Sequence, residues 1–378
     1  MITTDKKTIL ALLAATMLTG AVTSCSGDEG PDGNNVNDHR LPITLSYSVA
    51  GEALMRSTTD THITTQGSNQ VFTAGQEIDL FIDEALTPGT TATYQGEVRY
   101  LKSTAPDGAG AVGKGNFETY SDVGRSSEVT LYWPASGNGL YFYAYYPKGA
   151  MTGPVKSTTT TPQTFTVSTS QGTATASMPY DLMFGEPNGR PIGTATSNPV
   201  PRPTDNQRAA AAVNLNFKHC LSKVVVTIQG DGYGIAVDGT DANDPTKNQL
   251  TGALVTLGNN DICLQADVVP NSGVATAKTS GTKGTVTLKS DAAGNTSLTN
   301  YCILPPGQTL TGKTINVKLT DSGVKSFTVP QYNSSDVVLE AGKEYVYTVT
   351  VGLYEVSVTA TVQEWDPMVG DDSAVLKY

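Results

Sequence analysis

The most regular pattern in the chain runs from Ile43 to Val49, where Ile43, Leu45, Tyr47 and Val49 alternate with Thr44, Ser46 and Ser48. A period of two puts the apolar set on one side, which predicts a half-buried strand. The polar stretch Met55 to Asp60, which contains Arg56, predicts a loop after it. Phe72 to Ile82 reads as a turn at Gly75 feeding a second strand. Val129 to Trp133 and Leu140 to Tyr146 predict an aromatic hairpin around Ser136-Gly137-Asn138-Gly139, closed by Pro147. Ser157 to Thr169 is rich in threonine and predicts a loop or a weak edge strand. Pro199 to Asn206 carries Pro199, Pro201 and Pro203 with no strand pattern, which predicts a linker. Beyond it, Val213 to Ile228 holds two strand-like runs on either side of His219. Leu250 to Leu257, Thr285 to Leu288, Tyr301 to Leu304 and Thr314 to Leu319 follow at short intervals. Tyr345 to Val351 and Glu355 to Val362 predict a hairpin at Gly352. Short strands separated by turn signals predict an all-β chain of sandwiches, with one domain over 41–205 and a second over 206–378.

The N-terminus follows a different pattern. Lys6 and Lys7 precede an uncharged apolar run from Thr8 to Val22, too short to span a bilayer and of the length of a secretory core segment. Val22-Thr23-Ser24-Cys25 then resembles a lipobox, in which Cys25 is lipidated and becomes the mature N-terminus. Ser26-Gly27-Asp28-Glu29-Gly30 resembles the acidic export signal of surface lipoproteins of Bacteroidetes. These features predict a lipoprotein signal peptide over 1–24 and a flexible tether over 25–40. The chain is then held to the outer membrane by lipid rather than by a helix.

Composition narrows the function. The net charge of −11 excludes a nucleic-acid partner, which needs a basic surface. Besides Cys25, the cysteines are Cys220, Cys263 and Cys302, each in an apolar strand context that predicts three small buried side chains. The histidines His39, His62 and His219 share no metal-ligand spacing. The acidic turn Asp238 to Asp244 departs from the spacing of a calcium-binding loop, and Glu77, Asp79, Asp83 and Glu84 read as rim charges. Nothing here predicts a metal, a cofactor or an enzyme.

Several segments, in order, resemble the fimbrillin family of Bacteroidales, the lipoprotein pilins of the type V pilus. They are Tyr132-Trp133-Pro134 with Leu140 to Pro147, Phe217-Lys218-His219-Cys220-Leu221-Ser222-Lys223-Val224, Leu304-Pro305-Pro306-Gly307-Gln308, Ala341 to Tyr347, and Val362-Gln363-Glu364-Trp365. The resemblance implies two tandem transthyretin-like β-sandwich domains and other pilus subunits, including copies of itself, as partners. It also implies processing by a trypsin-like, Arg-specific protease after the first strand. Arg56 is the matching residue. Arg40 precedes the strand, so a cut there opens nothing. Removing 41–56 vacates the places of Ile43, Leu45, Tyr47 and Val49. A donor strand from another subunit, the tail 366–378 with Met368, Val369, Val375, Leu376 and Tyr378 as fillers, then takes them.

Two functions follow. The first is a fimbrial subunit serving adhesion and biofilm formation, with a stalk position favoured over a tip because a tail extends past Trp365. The second is a monomeric surface lipoprotein that binds glycan or a host ligand through its seventeen tyrosines. Both require the anchor. Cys25→Ala is expected to abolish palmitate labelling and detergent partitioning of the precursor; a mutant that still labels excludes the lipoprotein reading.

Overall fold

The computed structural model describes residues 41–52, 63–66, 69–86, 91–104, 115–120, 124, 126–172, 181–187, 198–204, 212–230, 253–290, 297–319, 324–332, 334–351 and 356–364. Every regular element among them is a strand. In chain order the first ten are β1 (Thr44–Glu52), β2 (Ile63–Gln66), β3 (Asn69–Phe72), β4 (Glu77–Glu84), β5 (Gln95–Ser103), β6 (Gly115–Tyr120), β7 (Leu140–Tyr146), β8 (Gln163–Thr166), β9 (Met183–Pro187) and β10 (Ala212–His219). All but β8 join one nine-stranded sheet in the order β10-β9-β7-β4-β5-β6-β1-β3-β2. A further pairing of β10 with β1 closes its first seven strands on themselves, with β2 and β3 appended as a hairpin. Closure matters because an open sheet leaves unpaired backbone along both edges.

The closed sheet is filled from inside by one apolar cluster. It includes Ile78, Leu80 and Ile82 of β4, Leu140, Phe142 and Ala144 of β7, and Leu215 and Phe217 of β10. The opposite faces of β4 and β7 are also covered. Phe81, Tyr143 and Tyr145 belong to a second cluster shared with the C-terminal half. A strand covered on both faces needs no polar alternation, which is why Leu140 to Tyr146 is apolar throughout.

The C-terminal half is built from β11 (Ser222–Gly230), β12 (Leu254–Cys263), β13 (Gln265–Val268), β14 (Ala275–Ala277), β15 (Lys283–Thr287), β16 (Lys289–Ser290), β17 (Ser297–Leu304), β18 (Thr314–Lys318), β19 (Val324–Thr328), β20 (Lys343–Val351) and β21 (Val356–Glu364). Five of them form the sheet β16-β17-β11-β20-β21, and four form β15-β12-β18-β19. Both sheets feed the second cluster, through residues such as Val224, Val226, Tyr347 and Val349 from one and Val255, Leu257, Ile315 and Val317 from the other. The third sheet, β14-β13-β8, takes its edge strand from the first half of the chain.

Three expectations are corrected here. First, the break at 205/206 does not separate the sheets. β10 lies beyond it yet belongs to the first sheet, and β8 lies before it yet pairs antiparallel with β13. Local composition cannot report such long-range pairings. Second, Val129 to Trp133 is not a hairpin partner of β7, whose neighbours are β4 and β9. Instead the Leu131 carbonyl accepts from the Ile43 amide at 2.8 Å, and the Trp133 amide donates to the Leu41 carbonyl at 2.8 Å. Third, Asp79, Asp83 and Glu84 are buried rather than on the rim. Asp79 accepts from the Gly149 amide at 2.6 Å and Asp83 from the Ser157 amide at 2.8 Å, holding the segment after β7 against β4. Burial pushes the Glu84 carboxyl up, but bonds from Ser136, the Thr93 amide and Asn138 outweigh it and keep the group below its ordinary value.

Two further pairs of buried charged or titratable side chains are partnered. His219 Nδ1 lies 2.8 Å from Asp181 Oδ1, with both side chains almost wholly excluded from water. Lys223 pairs with Glu344 at 3.2 Å. Cys220, Cys263 and Cys302 are free and buried, as the sequence predicts, and burial raises the Cys220 and Cys302 thiols far above their ordinary value.

Gln171 ties the two halves together. It is fully buried; its Oε1 accepts from the Ile303 amide at 2.8 Å, and its Nε2 donates to the Ile303 carbonyl at 2.9 Å. Gln171→Ala leaves both main-chain groups buried without that partner, so it is expected to cost about 2–4 kcal/mol of stability by chemical denaturation. A loss below about 0.5 kcal/mol would mean that water replaces the side chain there.

Candidate functional site

β1 closes the first sheet, and its position makes it separable. It lies at the N-terminal end of the described chain, 168 residues from its partners on β10. The two run parallel, with Thr44 opposite Ala212, Leu45 opposite Val213, Tyr47 opposite Leu215 and Val49 opposite Phe217. On its other side β1 meets β6 at Ser46 and Tyr47, then β3 at Val49 and Glu52. Taking β1 away cuts no chain connection among the other strands, although it removes the strand through which the β3–β2 hairpin joins the sheet. It leaves a slot one strand wide, with β10 along one wall and β6 along the other.

The two faces of β1 are bound differently. Ile43, Leu45, Tyr47 and Val49 are all buried in the first cluster, none more than 8% exposed. Leu41 extends the row by one site at 2% exposure. Leu41-Pro42-Ile43 continues the two-residue alternation, so the signal for Leu41 was present in the sequence. Five large side chains at roughly 1.5–3 kcal/mol each amount to on the order of 8–15 kcal/mol of gross burial, an upper bound. The other face carries hydroxyls bonded to amides: Ser46 donates to Asn214 Oδ1 at 3.1 Å, and Ser48 donates to Asn216 Oδ1. Asn214 Nδ2 returns a bond to Asn216 Oδ1 at 2.9 Å.

Tyr47 is the most confined of the row, with no exposure. Its ring centre lies 4.6 Å from that of Phe117, 5.2 Å from Phe72 and 6.5 Å from Phe217. Its hydroxyl donates to the Phe72 carbonyl at 3.2 Å. Burial raises the Tyr47 phenol far above its ordinary value, with the bond to Phe72 opposing, so it stays a donor at any physiological pH.

Cys25 and Arg56 lie outside the described residues, as do Met368, Val369, Val375, Leu376 and Tyr378. The segment holding those tail residues follows β21, which ends its sheet with β20 on one side. The tyrosines proposed as a sugar platform are mostly interior: Tyr143, Tyr145 and Tyr146 are buried, and only Tyr141 of β7 is partly exposed. Among the described residues, no cluster of three or more His, Cys, Asp or Glu side chains could hold a metal ion.

Comparison with known proteins agrees with this architecture. A candidate fimbrium subunit of Bacteroides uniformis, Fim1C, is 24% identical over 361 residues, covering 95% of this chain and 94% of its own. The crystal structure of a candidate cell adhesion protein from Bacteroides ovatus superposes with a TM-score of 0.57 at 17% identity, over 88% of this chain and 99% of that one. Another from Bacteroides uniformis gives 0.54 at 20% identity, over 86% and 98%. At these identities the two crystal structures speak to the fold alone. The family described as fimbrillin-like matches residues 56–365, the greater part of the chain, and the chain belongs to that family.

Proposed function

We propose that this chain is a structural subunit of a cell-surface fimbria, built by protease-triggered exchange of its first strand for the tail of another subunit. The observation that carries the reading is the placement of β1: the first described strand, which closes a sheet and, with the residues leading into it, buries five apolar side chains. On this reading the precursor is anchored through Cys25 and surface-exposed at the outer membrane. Its two apolar clusters belong to the two tandem transthyretin-like domains of the family. A trypsin-like protease cuts after Arg56, four residues beyond the end of β1. With 41–56 gone, the vacated slot exposes apolar surface and the unpaired edge of β10. An extended segment from a second subunit relieves both at once, through main-chain bonds to the edge and side chains in the pits. The tail 366–378 supplies that segment, which places the chain in the stalk, serving adhesion and biofilm formation. The role is structural rather than catalytic.

Glycan binding is not favoured, because the β7 tyrosines that suggested it pack inside the molecule.

Two variants test the reading. In the wild type, limited trypsin is expected to yield a stable core starting at Ser57-Thr58-Thr59 and, with it, a ladder of oligomers on gels. Arg56→Ala is expected to remain a plugged monomer. Deletion of Asp366 to Tyr378 is expected to give a cleavable monomer that caps wild-type ladders without building its own. Long ladders from the tail deletion alone would rule the tail out as donor, and a stable core starting elsewhere would rule out Arg56.

A further inference from the structure

The five sites vacated by β1 are not equivalent. Leu41, Ile43, Leu45 and Val49 occupy aliphatic positions, which tolerate one aliphatic side chain in place of another at modest cost. The Tyr47 site is different. Its floor is Gly115, directly across the pairing with β6. A Cβ on Gly115 would lie 2.1 Å from the Tyr47 ring, inside any real contact distance. Gly115 is not among the glycines with positive φ, so the backbone there does not require glycine; the ring does. The same device holds a wall of the pit. Phe217 faces Gly185 across β10 and β9, and a Cβ on Gly185 would lie 2.7 Å from the Phe217 ring. Phe72 meets Phe217 edge to face at 5.0 Å. The pit is therefore ring-shaped and rigidly walled, with a carbonyl acceptor at its end for one hydroxyl. A leucine there leaves a void and leaves the Phe72 carbonyl without that donor.

Resting on the strand-exchange reading above, the geometry points to a tyrosine keyhole that sets the register of the incoming strand, and we propose that Tyr378 of a second copy of this chain fills it. Tyr378 is the one aromatic residue between Asp366 and the end of the given sequence. It shares a two-residue alternation with Leu376 and Ala374. A donor running parallel to β10, as β1 does, then places Leu376 in the Leu45 site and Ala374 in the Ile43 site; the tail fills these three sites only, and its chain leaves the slot before Asp372 would reach the Leu41 site. The opposite face carries Lys377 at the Ser46 position, where its ammonium meets the Asn214 carbonyl oxygen that Ser46 uses. A slip of one residue turns Lys377 and Val375 inward and puts an ammonium among three aromatic rings, which desolvation forbids. A slip of two puts Leu376 in the keyhole or carries Tyr378 into the Leu45 site. One ring thus selects one register out of the several that β-pairing alone would allow.

The test pairs a donor-only chain with an acceptor-only chain. The donor is full-length Arg56→Ala, which keeps β1 and its tail. The acceptor is trypsin-cleaved protein lacking 366–378, with the protease quenched before mixing. Dimer formation is read on gels and by size exclusion. Donors carrying Tyr378→Phe are expected to keep most of the dimer, while Tyr378→Ala and Tyr378→Leu lose at least about tenfold in apparent affinity. A second acceptor carries Gly115→Ala with Tyr47→Leu, so that the smaller plug suits the filled floor and the precursor folds. It is expected to reject the wild-type donor and take Tyr378→Leu in its place. If Tyr378→Ala pairs as well as wild type, the keyhole inference is overturned while strand exchange stands. If the wild-type pair forms no dimer, the exchange reading fails and takes the keyhole with it. Should the double variant not fold, the Tyr378 series on the wild-type acceptor decides alone.

Discussion

The parallel ladder between β1 and β10 is the constraint on which the first half of the molecule depends. It is made by residues 168 apart, and it converts an open sheet into a closed one. Everything inside that sheet, from Trp133 to Phe217, is enclosed because this seam is shut. β1 is the first described strand, held by β10 on one side and by β6 and β3 on the other. Its N-terminal end is held as well, since Leu41 and Ile43 bond to Trp133 and Leu131 outside any named strand. The seam is a place where large burial and topological freedom coincide, and a fimbrial subunit that exchanges strands needs both.

The parts of this design that were legible in the sequence are those with one polar face. Ile43 to Val49 alternates because its outer side carries only serines and a threonine, with Ser46 and Ser48 meeting asparagines and Thr44 exposed. The last strand was legible as well, and over Val356–Glu364 it pairs antiparallel with β20. Where both faces are covered the pattern vanishes. Asp79 and Asp83 on β4 looked like surface charge, yet they serve as acceptors for amides of the segment after β7. Nothing within ten residues of either announces that cover.

Partnerships between distant segments were the least legible. The pairing of β8 with β13 draws the Thr-rich stretch into the second half of the molecule, and no local feature of Gln163 to Thr166 names Gln265 to Val268 as its partner. Gly115 is the sharpest case. Read alone it is one of 38 glycines; its meaning appears only when Tyr47 is seen lying across it. The family motifs around Trp133, Phe217 and Leu304 were readable as resemblance, while the geometry that gives them work to do is tertiary.

The continuity of β10 into β11 has a mechanical consequence. Cys220 and Leu221 are the only residues between the strand that forms one wall of the vacated slot and the central strand of the five-stranded sheet. β11 lies parallel to β20 along its whole length, and β20 hands on to β21, after which the tail begins. In a filament assembled through that slot and that tail, tension enters at β10 and leaves beyond β21. The start of β11 and the end of β21 lie at the same end of the five-stranded sheet, two strands apart, so that tension crosses the ladders at the end where Lys223 faces Glu344 and Lys343 faces Glu364.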